Sequence, residues 1–404
     1  MDMEKPKISV IMPSLNVRKY IKECVDSVLN QTLKDIEVIF IDGGSSDGTQ
    51  EVLKEYVDKD PRSKLLISNE KSYGHQVNLG LEIAIGEYIS IIETDDFIQL
   101  DMLESLYGLT NNSNVDVVKG VFYHYDDLSS EHIKKIEPVK KSLPLHECFN
   151  IDGNEEILDG HPSVWSGIYR KDFLDENSIR MIEAPGGGWV DNPFFYETTC
   201  LAKCIVYTDK PYYFYRVSNP DSSSNNSFDL TAPMKRILDI YEILDKYDLH
   251  SEKILIELYK RLFRYIEIIF EHNEGYDENL SYEVCNLIQT VLKRVDKDIL
   301  DNKLKRRHQR IYYKYRSPLF LLRFSSQNFF SDEEYQSLKD EIDFLNSEID
   351  YLKKDIKTLK KKNKNLNRTY KKVKKQNKLL LNSSSWKITK PLRLIKKFFQ
   401  NLFN

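Results

Sequence analysis

Three carboxylates stand within four positions directly after an apolar run, which makes this stretch well suited to bind a cation. The run extends from Tyr88 to Ile92, and the carboxylates are Glu93, Asp95 and Asp96. A strand of this composition is buried on both faces, and carboxylates crowded at its end repel one another and lose hydration. All-oxygen ligands of this kind suit Mg²⁺ or Mn²⁺. The stretch therefore predicts a divalent-metal site, and the alternative is a solvated acidic turn.

A second polar group follows another apolar run. Residues 36–41 are expected to form a strand, which leads into Asp42 and then a turn rich in glycine and serine. Gly43 and Gly44 let the backbone approach a ligand, and Asp42 at the strand end can accept from a nucleobase N–H or a ribose hydroxyl. The alternative is a plain turn.

Alternating strands and helices must position these groups. Strands are expected at residues 7–12, 36–41, 64–68, 88–92 and 115–118, and helices at about 21–29, 50–57, 73–80 and 101–110. Asn16 is expected to cap the first helix, and Asn78 either to brace the nucleotide loops or to cap its own helix. This order is typical of an α/β, Rossmann-like nucleotide-binding domain, in which ligands lie at the carboxyl ends of the strands.

Four of these motifs follow one another in the order of a known family. They are strand-Pro-Ser-x-Asn, Asp-Gly-Gly-Ser-Ser-Asp-Gly-Thr, Gly-x-x-x-Asn-x-Gly and Gly-Glu-Tyr-(apolar)₄-Glu-Thr-Asp-Asp, and with them the chain resembles the inverting glycosyltransferases of family 2, which have the GT-A fold. The resemblance implies that Asp42 contacts the base of a nucleotide-sugar, and that Asp95 with Glu93 holds the Mn²⁺ or Mg²⁺ that bridges the diphosphate. Glu93 stands where the family usually has the first Asp of Asp-x-Asp, and Gly43 replaces a frequent second Asp. The implied donor-binding residues are Pro13, Ser14, Asn16, Asp42, Asn78, Glu93, Thr94, Asp95 and Arg216.

The resemblance continues on the acceptor side. Residues 162–170 are similar to the segment that precedes the family's acceptor face, and residues 186–195 are similar to the segment that carries its general base. Asp191 is the implied base, which deprotonates the acceptor hydroxyl opposite the leaving diphosphate, and Val190 replaces the Glu that commonly precedes it. The alternative for Asp191 is a helix N-cap ahead of Pro193. The expected acceptor-binding residues are Trp189, Trp165 and His161.

Residues 212–224 resemble the end of the catalytic domain in the same family. There Arg216 and a nearby serine are expected to close over the diphosphate, because the guanidinium fork suits phosphate oxygens. The alternative is a surface arginine that follows the last strand.

The residue pattern divides the chain into four segments. Residues 1–228 are expected to be the GT-A catalytic domain, 229–330 a helical domain, 331–382 a parallel coiled coil and 383–404 a basic amphipathic tail. A heptad repeat runs unbroken through the third segment, and Ile at one core position with Leu at the other favours a homodimer, with a trimer left open. Its core residues are Leu338, Ile342, Leu345, Ile349, Leu352, Ile356, Leu359, Asn363, Leu366, Tyr370, Val373, Asn377 and Leu380.

The charge is distributed unevenly. Residues 351–404 hold 18 Lys and Arg against a single acid, a net +17, and since the whole chain carries −4 the remainder carries −21. Near the end, Leu392, Ile395 and Phe399 share one helical face beside basic residues, which predicts binding to an anionic membrane surface. The alternative is a helix docked on the protein itself. No groove-reading motif accompanies the charge, so nucleic acid is not an expected partner.

Localisation and redox state are inferred from the same composition. Neither a signal peptide nor a run of about 18 apolar residues is recognisable, so we expect a cytoplasmic protein, peripheral at the inner face of the cell membrane. The five cysteines lack the spacing of a zinc site and are expected to be reduced thiols.

The resemblance, together with the predicted metal site, implies a metal-dependent glycosyltransferase. It would move a sugar with inversion from a nucleotide-sugar, expected to be UDP-linked, to a growing glycan on a lipid or polymer carrier. A sugar nucleotidyltransferase is one alternative, but it would need a triphosphate loop rich in Gly, Arg and Lys where residues 13–16 read Pro-Ser-Leu-Asn. A non-catalytic coiled-coil scaffold with a decayed transferase domain is the other, and the carboxylates that remain argue against it.

Overall fold

The computed structural model separates into two compact units, Met1–Phe320 and Leu321–Asn404. It describes residues 5–68, 70–110, 114–129, 133–136, 143–220, 229–273, 280–317, 320, 332–383 and 389. Within these residues, no helix is long and apolar enough to cross a membrane.

One mixed sheet organises the first unit. Its strands are β1 Ile8–Ser14, β2 Ile36–Asp42, β3 Ser63–Ile67, β4 Tyr88–Ile91, β5 Phe97–Ile98, β6 Val117–Tyr125, β7 Ile133–Ile136, β8 Cys148–Phe149, β9 Gly167–Arg170 and β10 Ile205–Arg216. They lie in the order β3-β2-β1-β4-β9-β6-β10-β5, with β7 paired to β6 and β8 paired to β10.

The parallel half of the sheet brings the predicted polar groups to one edge. β2 and β4 pair in parallel with β1, and every residue of these three strands is buried, which accounts for their continuous apolar composition. Because the strands run the same way, their carboxyl ends meet. There Ser14 pairs with Asp42, and β4 runs on into Glu93. The predicted strands in this part of the chain are confirmed.

Helices connect these strands, and two expected caps are wrong. The helices are α1 Ile21–Leu29, α2 Thr49–Lys59, α3 Tyr73–Ile83, α4 Met102–Gly108, α5 Lys171–Glu176 and α6 Asp191–Leu201. No side chain caps α1. Asn16 has a φ of 53°, and its Oδ1 accepts instead from the backbone N–H of Ser46. The cap of α3 is Ser72, which accepts from the backbone N–H of His75, so Asn78 is not a cap.

The pairing of β10 changes two expectations at the far side of the sheet. β6 continues to Tyr125, past the predicted end at residue 118, because it pairs with β10 along most of its length. β5 follows the acidic cluster directly and pairs with the same strand through Phe97 and Ile98. A strand of two residues carries no periodicity, so the sequence does not reveal it. The pairing places the end of β10 beside the acidic cluster.

The helices after residue 229 belong to the same compact unit as the sheet. They are α7 Ala232–Lys246, α8 Glu252–His272, α9 Tyr282–Leu292, α10 Lys297–Lys303 and α11 Arg306–Tyr315. α7 packs on α6, and α8 packs on a 3₁₀ turn at Glu155–Asp159. The predicted boundary at residue 228 therefore marks a change from sheet to helices within one unit, because α7 and α8 bury their apolar faces against α6 and the 3₁₀ turn.

In its described part, the second unit contains a single long helix, α12, Asp332–Asn382. Of the predicted coiled-coil core, Leu352, Ile356, Leu359, Leu366 and Tyr370 are 50–74% exposed in the single chain. Helical character is thus observed, whereas pairing with a second copy stays a prediction. The tail after residue 383 lies outside the described residues, apart from Thr389.

The expectation of five reduced cysteines is wrong for two of them. The antiparallel pairing of β8 with β10 brings Cys148 next to Cys204, with their Cα atoms 5.2 Å apart, and the two form a disulfide. They are 56 residues apart, and no spacing pattern in the sequence could reveal the pair. Cys24, Cys200 and Cys285 are free and buried.

Candidate active site

The three carboxylates that follow β4 converge. Glu93, Asp95 and Asp96 each offer one oxygen, and these oxygens lie within 4.8 Å of one another. Burial raises the pKa of Glu93 and of Asp96 well above the ordinary range, and neighbouring carboxylates add to both shifts. Burial also raises the pKa of Asp95. Since crowded carboxylates without a counter-charge resist ionisation, this donor set fits a divalent cation.

Asp96 differs from the other two in its hydrogen bonds. It is 1% exposed; its Oδ2 accepts from the Tyr213 hydroxyl at 2.7 Å and its Oδ1 from the backbone N–H of Arg216 at 2.7 Å. Asp96 thus anchors the acidic loop to β10. Glu93 and Asp95 are only half-buried, and Asp95 Oδ2 accepts from the side chain of Asn219 at 2.9 Å.

Arg216 lies under the acidic loop and is 3% exposed, so the alternative of a surface arginine is wrong. Its Nε donates to the carbonyl of Asp95 at 2.8 Å. The remaining guanidinium nitrogens donate to both carboxylate oxygens of Asp127, at 2.5 and 2.6 Å, and to Glu23 at 2.5 Å. Contact with a diphosphate would require this guanidinium to exchange protein carboxylates for phosphate oxygens. Its donor-binding role stays a prediction.

Asp42 is fully buried at the end of β2 and leaves one oxygen for a ligand. Its Oδ1 accepts from the backbone N–H groups of Gly44 and Ser45, at 3.0 and 2.8 Å, and from the side chain of Gln50 at 2.7 Å. Its Oδ2 has no hydrogen-bond partner among the residues that the structure describes. A buried acceptor without a partner is costly, so Oδ2 is suited to a ligand N–H or O–H group.

The loops that end β1 and β2 are held by side chains from elsewhere in the unit. The Thr94 hydroxyl donates to the carbonyl of Pro13 at 2.8 Å, which ties the acidic loop to β1. The backbone N–H of Ser14 donates to the side chain of Gln76 at 3.0 Å. Asn16 lies on the exposed side, where its backbone N–H donates to the Ser45 hydroxyl at 2.8 Å. These contacts surround the edge at which Asp42 lies.

Asn78 is placed differently from the expectation. Its Oδ1 accepts from the backbone N–H of Met181, and its Nδ2 donates to the carbonyl of Met181 and to Glu183, each at 2.9 Å. All the polar atoms of this amide are therefore used on the segment that leads to the predicted base, and not on the nucleotide loops. Gln76, two residues earlier on α3, takes that position and braces the nucleotide loops, which are the loops that end β1 and β2.

Asp191 begins α6 and is half-buried. The N-cap of α6 is Val190 and Asp191 is the first helical residue, so the N-cap alternative is wrong. Its Oδ1 accepts from the Asn192 side chain at 3.0 Å. Burial raises its pKa above the ordinary value, and the charge of Arg261 opposes that shift.

Asp191 lies close enough to the metal-binding candidates to act on them electrostatically. Its charge contributes to the raised pKa of Glu93. Both carboxylates also contribute to the raised pKa of Tyr73, after burial as the largest cause. The predicted base and the predicted metal ligands therefore share one neighbourhood, although about 100 positions of the sequence separate them.

Comparison with known proteins identifies the family. The family model described as Glycosyl transferase family 2 matches residues 9–177. An uncharacterized glycosyltransferase from Haemophilus influenzae is 30% identical over 227 residues, which cover 55% of this chain and 84% of that protein. This chain belongs to glycosyl transferase family 2. Glycosyltransferase GlyG from Streptococcus pneumoniae is 28% identical over 245 residues, 59% of this chain and 78% of GlyG.

The fold of this family 2 glycosyltransferase also matches solved structures. TarS from S. aureus, residues 1–349 in complex with UDP-GlcNAc, superposes with a TM-score of 0.62 and 20% sequence identity, and the match covers 80% of this chain and 93% of that one. Identity at this level shows the fold alone. The expected GT-A architecture, a mixed α/β sheet followed by helices, is confirmed.

The predicted acceptor residues of the glycosyltransferase fall in different surroundings. Trp189 is half-buried, has a φ of 62°, and packs edge to face on Tyr265, with ring centroids 4.6 Å apart. His161 is exposed, its Nδ1 accepts from the backbone N–H of Ser163, and it lines a cavity of about 110 Å³. Both placements are compatible with contact to an acceptor.

Trp165 requires a correction. It is 2% exposed and stacks on Tyr213 and Tyr215, with ring centroids 4.2 and 5.2 Å away. An aromatic ring enclosed in this way packs under the sheet and presents no face to an acceptor. Its position in the 162–170 segment reflects packing.

Four residues with direct roles around the site escaped sequence analysis. They are Gln76, Asn219, Arg261 and Tyr265. Gln76 is a variable position of the Gly-x-x-x-Asn-x-Gly motif, and Asn219 lies in the 212–224 segment without an assigned role. Arg261 and Tyr265 lie on α8 in the helical part of the chain. Long-range pairing alone brings them to the site, so no local pattern could have revealed them.

Proposed function

We propose that this glycosyltransferase moves a sugar with inversion from a UDP-sugar to a growing cell-surface glycan on a lipid or polymer carrier. The observation that carries the proposal is the unpartnered Oδ2 of Asp42 at the same sheet edge as the crowded carboxylates that follow β4. Binding a nucleotide-sugar requires an acceptor for the nucleoside and a site for the cation that accompanies the diphosphate. Ligands of open α/β sheets lie at this edge.

The donor site is proposed around Asp42, with Pro13, Ser14, Asn16 and Thr94 in the adjoining loops. The buried Oδ2 of Asp42 would accept from the uracil N–H or a ribose hydroxyl. The choice of UDP is supported by the shared fold with TarS, whose structures include complexes with UDP and with UDP-GlcNAc. Arg216 would join the diphosphate only after leaving its protein carboxylates.

Glu93 and Asp95 would hold Mn²⁺ or Mg²⁺, and Asp96 would support them from below through its bonds to Tyr213 and Arg216. When bound, such an ion neutralises the negative charge that develops on the departing diphosphate. Glu93 has one methylene more than the aspartate usual at its position in the family, and it still brings its oxygen within reach of the others.

Asp191 is the proposed base. It accepts the proton of the acceptor hydroxyl while that oxygen forms a bond to the anomeric carbon of the sugar, and the bond from this carbon to the diphosphate oxygen breaks with its electron pair. Attack opposite the leaving group inverts the configuration. A carboxylate whose pKa is raised by burial is a stronger base than an exposed one, which suits proton abstraction near neutral pH. Trp189 and His161 would contact the acceptor.

The coiled coil and the tail are proposed to organise the enzyme at a surface. Pairing through α12 would form a homodimer, with a trimer as the alternative, and the basic tail of residues 383–404 would bind anionic lipid at the cytoplasmic face of the membrane. Two catalytic units at one membrane patch would raise the local concentration of active sites around a carrier-bound acceptor. The support for both is the heptad pattern and the distribution of charge in the sequence.

A transfer assay with a panel of nucleotide-sugars tests the proposed reaction. We expect one donor to be turned over in the presence of Mn²⁺ or Mg²⁺, and Asp191→Asn to lose roughly a hundredfold or more in kcat. Asp152→Asn, at an exposed turn position, is the matched control and should retain full activity. If the folded protein neither binds nor turns over any donor, the non-catalytic scaffold replaces the proposed function.

Co-sedimentation with vesicles tests the membrane proposal separately. The full chain should pellet with vesicles that contain anionic lipid and stay in solution with neutral vesicles. A chain that ends at residue 382 should stay in solution with both. Equal binding by the two chains would exclude the tail as the membrane contact.

A further inference from the structure

Helix α8 carries two side chains that reach the loop of the proposed base. Arg261 is 4% exposed; its Nη1 donates to Oδ1 of Asn192 at 2.9 Å, and its Nη2 donates to the carbonyls of Leu158 and Gly160, at 2.6 and 2.5 Å. One helical turn later, the Tyr265 hydroxyl donates to the same Oδ1 of Asn192. Two donors from α8 thus converge on one oxygen of the residue next to Asp191.

These donors determine which way the Asn192 amide faces. A guanidinium has only donors, so the Asn192 atom that it meets must be the carbonyl oxygen. The amide nitrogen then faces the opposite direction, where it donates to Oδ1 of Asp191 at 3.0 Å and to the carbonyl of Trp189 at 3.3 Å. A rotated amide would place its N–H groups against Arg261 and lose both sets of bonds. Asn192 is itself only 3% exposed, so water offers little compensation.

We propose that Arg261 and Tyr265 are positioning residues for the transfer reaction, which act through the Asn192 amide to hold the carboxylate of Asp191 towards the acceptor. This inference rests on the proposed role of Asp191 as the base. It gives the helical part of the chain a function in catalysis that its sequence pattern does not indicate.

A second contact from the same helix supports this assignment. The ring of Tyr265 packs edge to face on Trp189, which holds a φ of 62°, a backbone conformation that is costly for a bulky residue. Tyr265 therefore contacts both Trp189, two residues before the base, and Asn192, the residue directly after it. Arg261 adds a positive charge that stabilises ionised Asp191 against the effect of burial.

A double-mutant cycle tests the inference. Tyr265→Phe removes only the hydroxyl, and we expect it to lower kcat for transfer about three- to tenfold while the KM for the donor stays within about twofold. Arg261→Met should lower kcat more strongly, and Arg261→Lys, which keeps the charge, should recover part of that loss. In an Asn192→Ala background, Tyr265→Phe should have almost no further effect on kcat, because the amide through which the hydroxyl acts is gone, and Arg261→Met should lower kcat only by the part that Arg261→Lys restores through its charge. Arg264→Met, on the same helix with a side chain that is 50% exposed, is the matched control and should leave kcat unchanged.

The outcomes separate this inference from the proposed function. Full activity of Asp191→Asn would refute the proposed base and the positioning role together. An inactive Asp191→Asn combined with wild-type kcat in Tyr265→Phe and Arg261→Met, or with losses that simply add to that of Asn192→Ala, would refute the positioning role alone. Should Arg261→Met fail to fold, the pair Tyr265→Phe and Asn192→Ala decides the question by itself.

Discussion

The side chain of Gln76 fills the space beside Gly43 and leaves no room for a larger residue there. A Cβ atom on Gly43 would lie 2.3 Å from Nε2 of Gln76, whose Oε1 accepts from the backbone N–H of Ser14 at 3.0 Å. Gln76 is 3% exposed, and the backbone N–H of Gly43 donates to the carbonyl of Ser14 at 2.8 Å. Helix α3 thus joins the ends of β1 and β2 through one amide, and Gly43 is the residue that allows it.

Gly43→Ala should weaken donor binding. The new methyl group would displace the Gln76 amide, break its bond to Ser14 and so disturb the geometry of the nucleotide loops. We expect this to cost about 1 kcal/mol of binding free energy and to raise the Kd for UDP about fivefold. Isothermal titration with UDP measures this. Gly108→Ala is the control, because a Cβ at Gly108 meets nothing within 4 Å. If Gly43→Ala and Gln76→Ala weaken binding additively, the two residues do not act as a pair.

Asp42→Asn should weaken donor binding more strongly than its small change in shape implies. The Oδ1 side of Asp42 already accepts from Gly44, Ser45 and Gln50, so the single oxygen of an asparagine would take that side. Its NH₂ group would then replace the unpartnered Oδ2 and present a donor where the ligand also presents a donor. We expect the KM for the donor to rise about ten- to a hundredfold with the free energy of unfolding little changed. Asp58→Asn, exposed on α2, is the control, and an unaltered KM in Asp42→Asn would place the nucleoside elsewhere.

The parallel half of the fold was predictable because its strands are buried on both faces. Continuous apolar runs that end abruptly in polar residues locate β1, β2 and β4, and parallel pairing then requires Asp42 and Glu93 to lie at the same edge. No knowledge of packing is needed for that step. The helical character of α12 was predictable in the same way, from the heptad repeat that runs through it.

The hydrogen-bond and packing partners of the candidate site residues could not be predicted from the sequence. The resemblance implies that Arg216 closes over the diphosphate, but its burial against Asp127 and Glu23 depends on contacts across 89 and 193 positions of the chain. The burial of Trp165 could not be predicted from the sequence either. A tryptophan in a motif is as compatible with a binding face as with a core, and only the stacking on Tyr213 and Tyr215 distinguishes them.

Asp95→Asn and Asp96→Asn should affect different properties. Asp95 is half-buried and a proposed metal ligand, so its substitution should raise the Mn²⁺ concentration needed for half-maximal activity about tenfold or more. Asp96 holds the Tyr213 hydroxyl and the backbone of Arg216, so its substitution should instead lower the free energy of unfolding by about 1–3 kcal/mol. Metal titrations of activity and urea denaturation of both variants make the comparison, and removal of metal by EDTA should abolish wild-type activity. Undiminished activity in EDTA would contradict the metal assignment.

Leu359→Lys with Leu366→Lys should separate the protomers. These side chains are 61% and 74% exposed in the single chain, and the heptad pattern assigns both to the apolar seam of the coiled coil. A buried lysine at each position would be costly in a dimer or a trimer and harmless in a monomer. Sedimentation equilibrium should therefore show the wild type as an oligomer and the double variant as a monomer. The helical content of the first unit should be unchanged. A wild type that is already monomeric at about 100 μM would exclude the coiled coil as an oligomerisation element, since coiled coils of this length associate well below that concentration.

Lys119 should make the stability of the protein depend on pH in a direction opposite to that of an ion-paired lysine. It is 4% exposed, its Nζ donates to the carbonyls of Pro162 and Ser163 at 2.6 Å, and burial lowers its pKa to about 7, against the opposing charge of Asp191. An unfolded lysine keeps its proton to about pH 10. Between these two values the unfolded chain holds a proton that the folded chain lacks, so the free energy of unfolding contributed by Lys119 rises with pH.

Urea denaturation of the wild type and Lys119→Met across about pH 6 to 9 measures this contribution. The difference in free energy of unfolding, wild type minus variant, should be flat below about pH 7 and should then grow by up to about 1.4 kcal/mol per pH unit. Lys22→Met, at an exposed position of α1, should give a difference that does not change with pH. A flat difference for Lys119→Met as well would mean that the two carbonyls hold the ammonium in its charged form, since a lysine that stays protonated in both states contributes no slope.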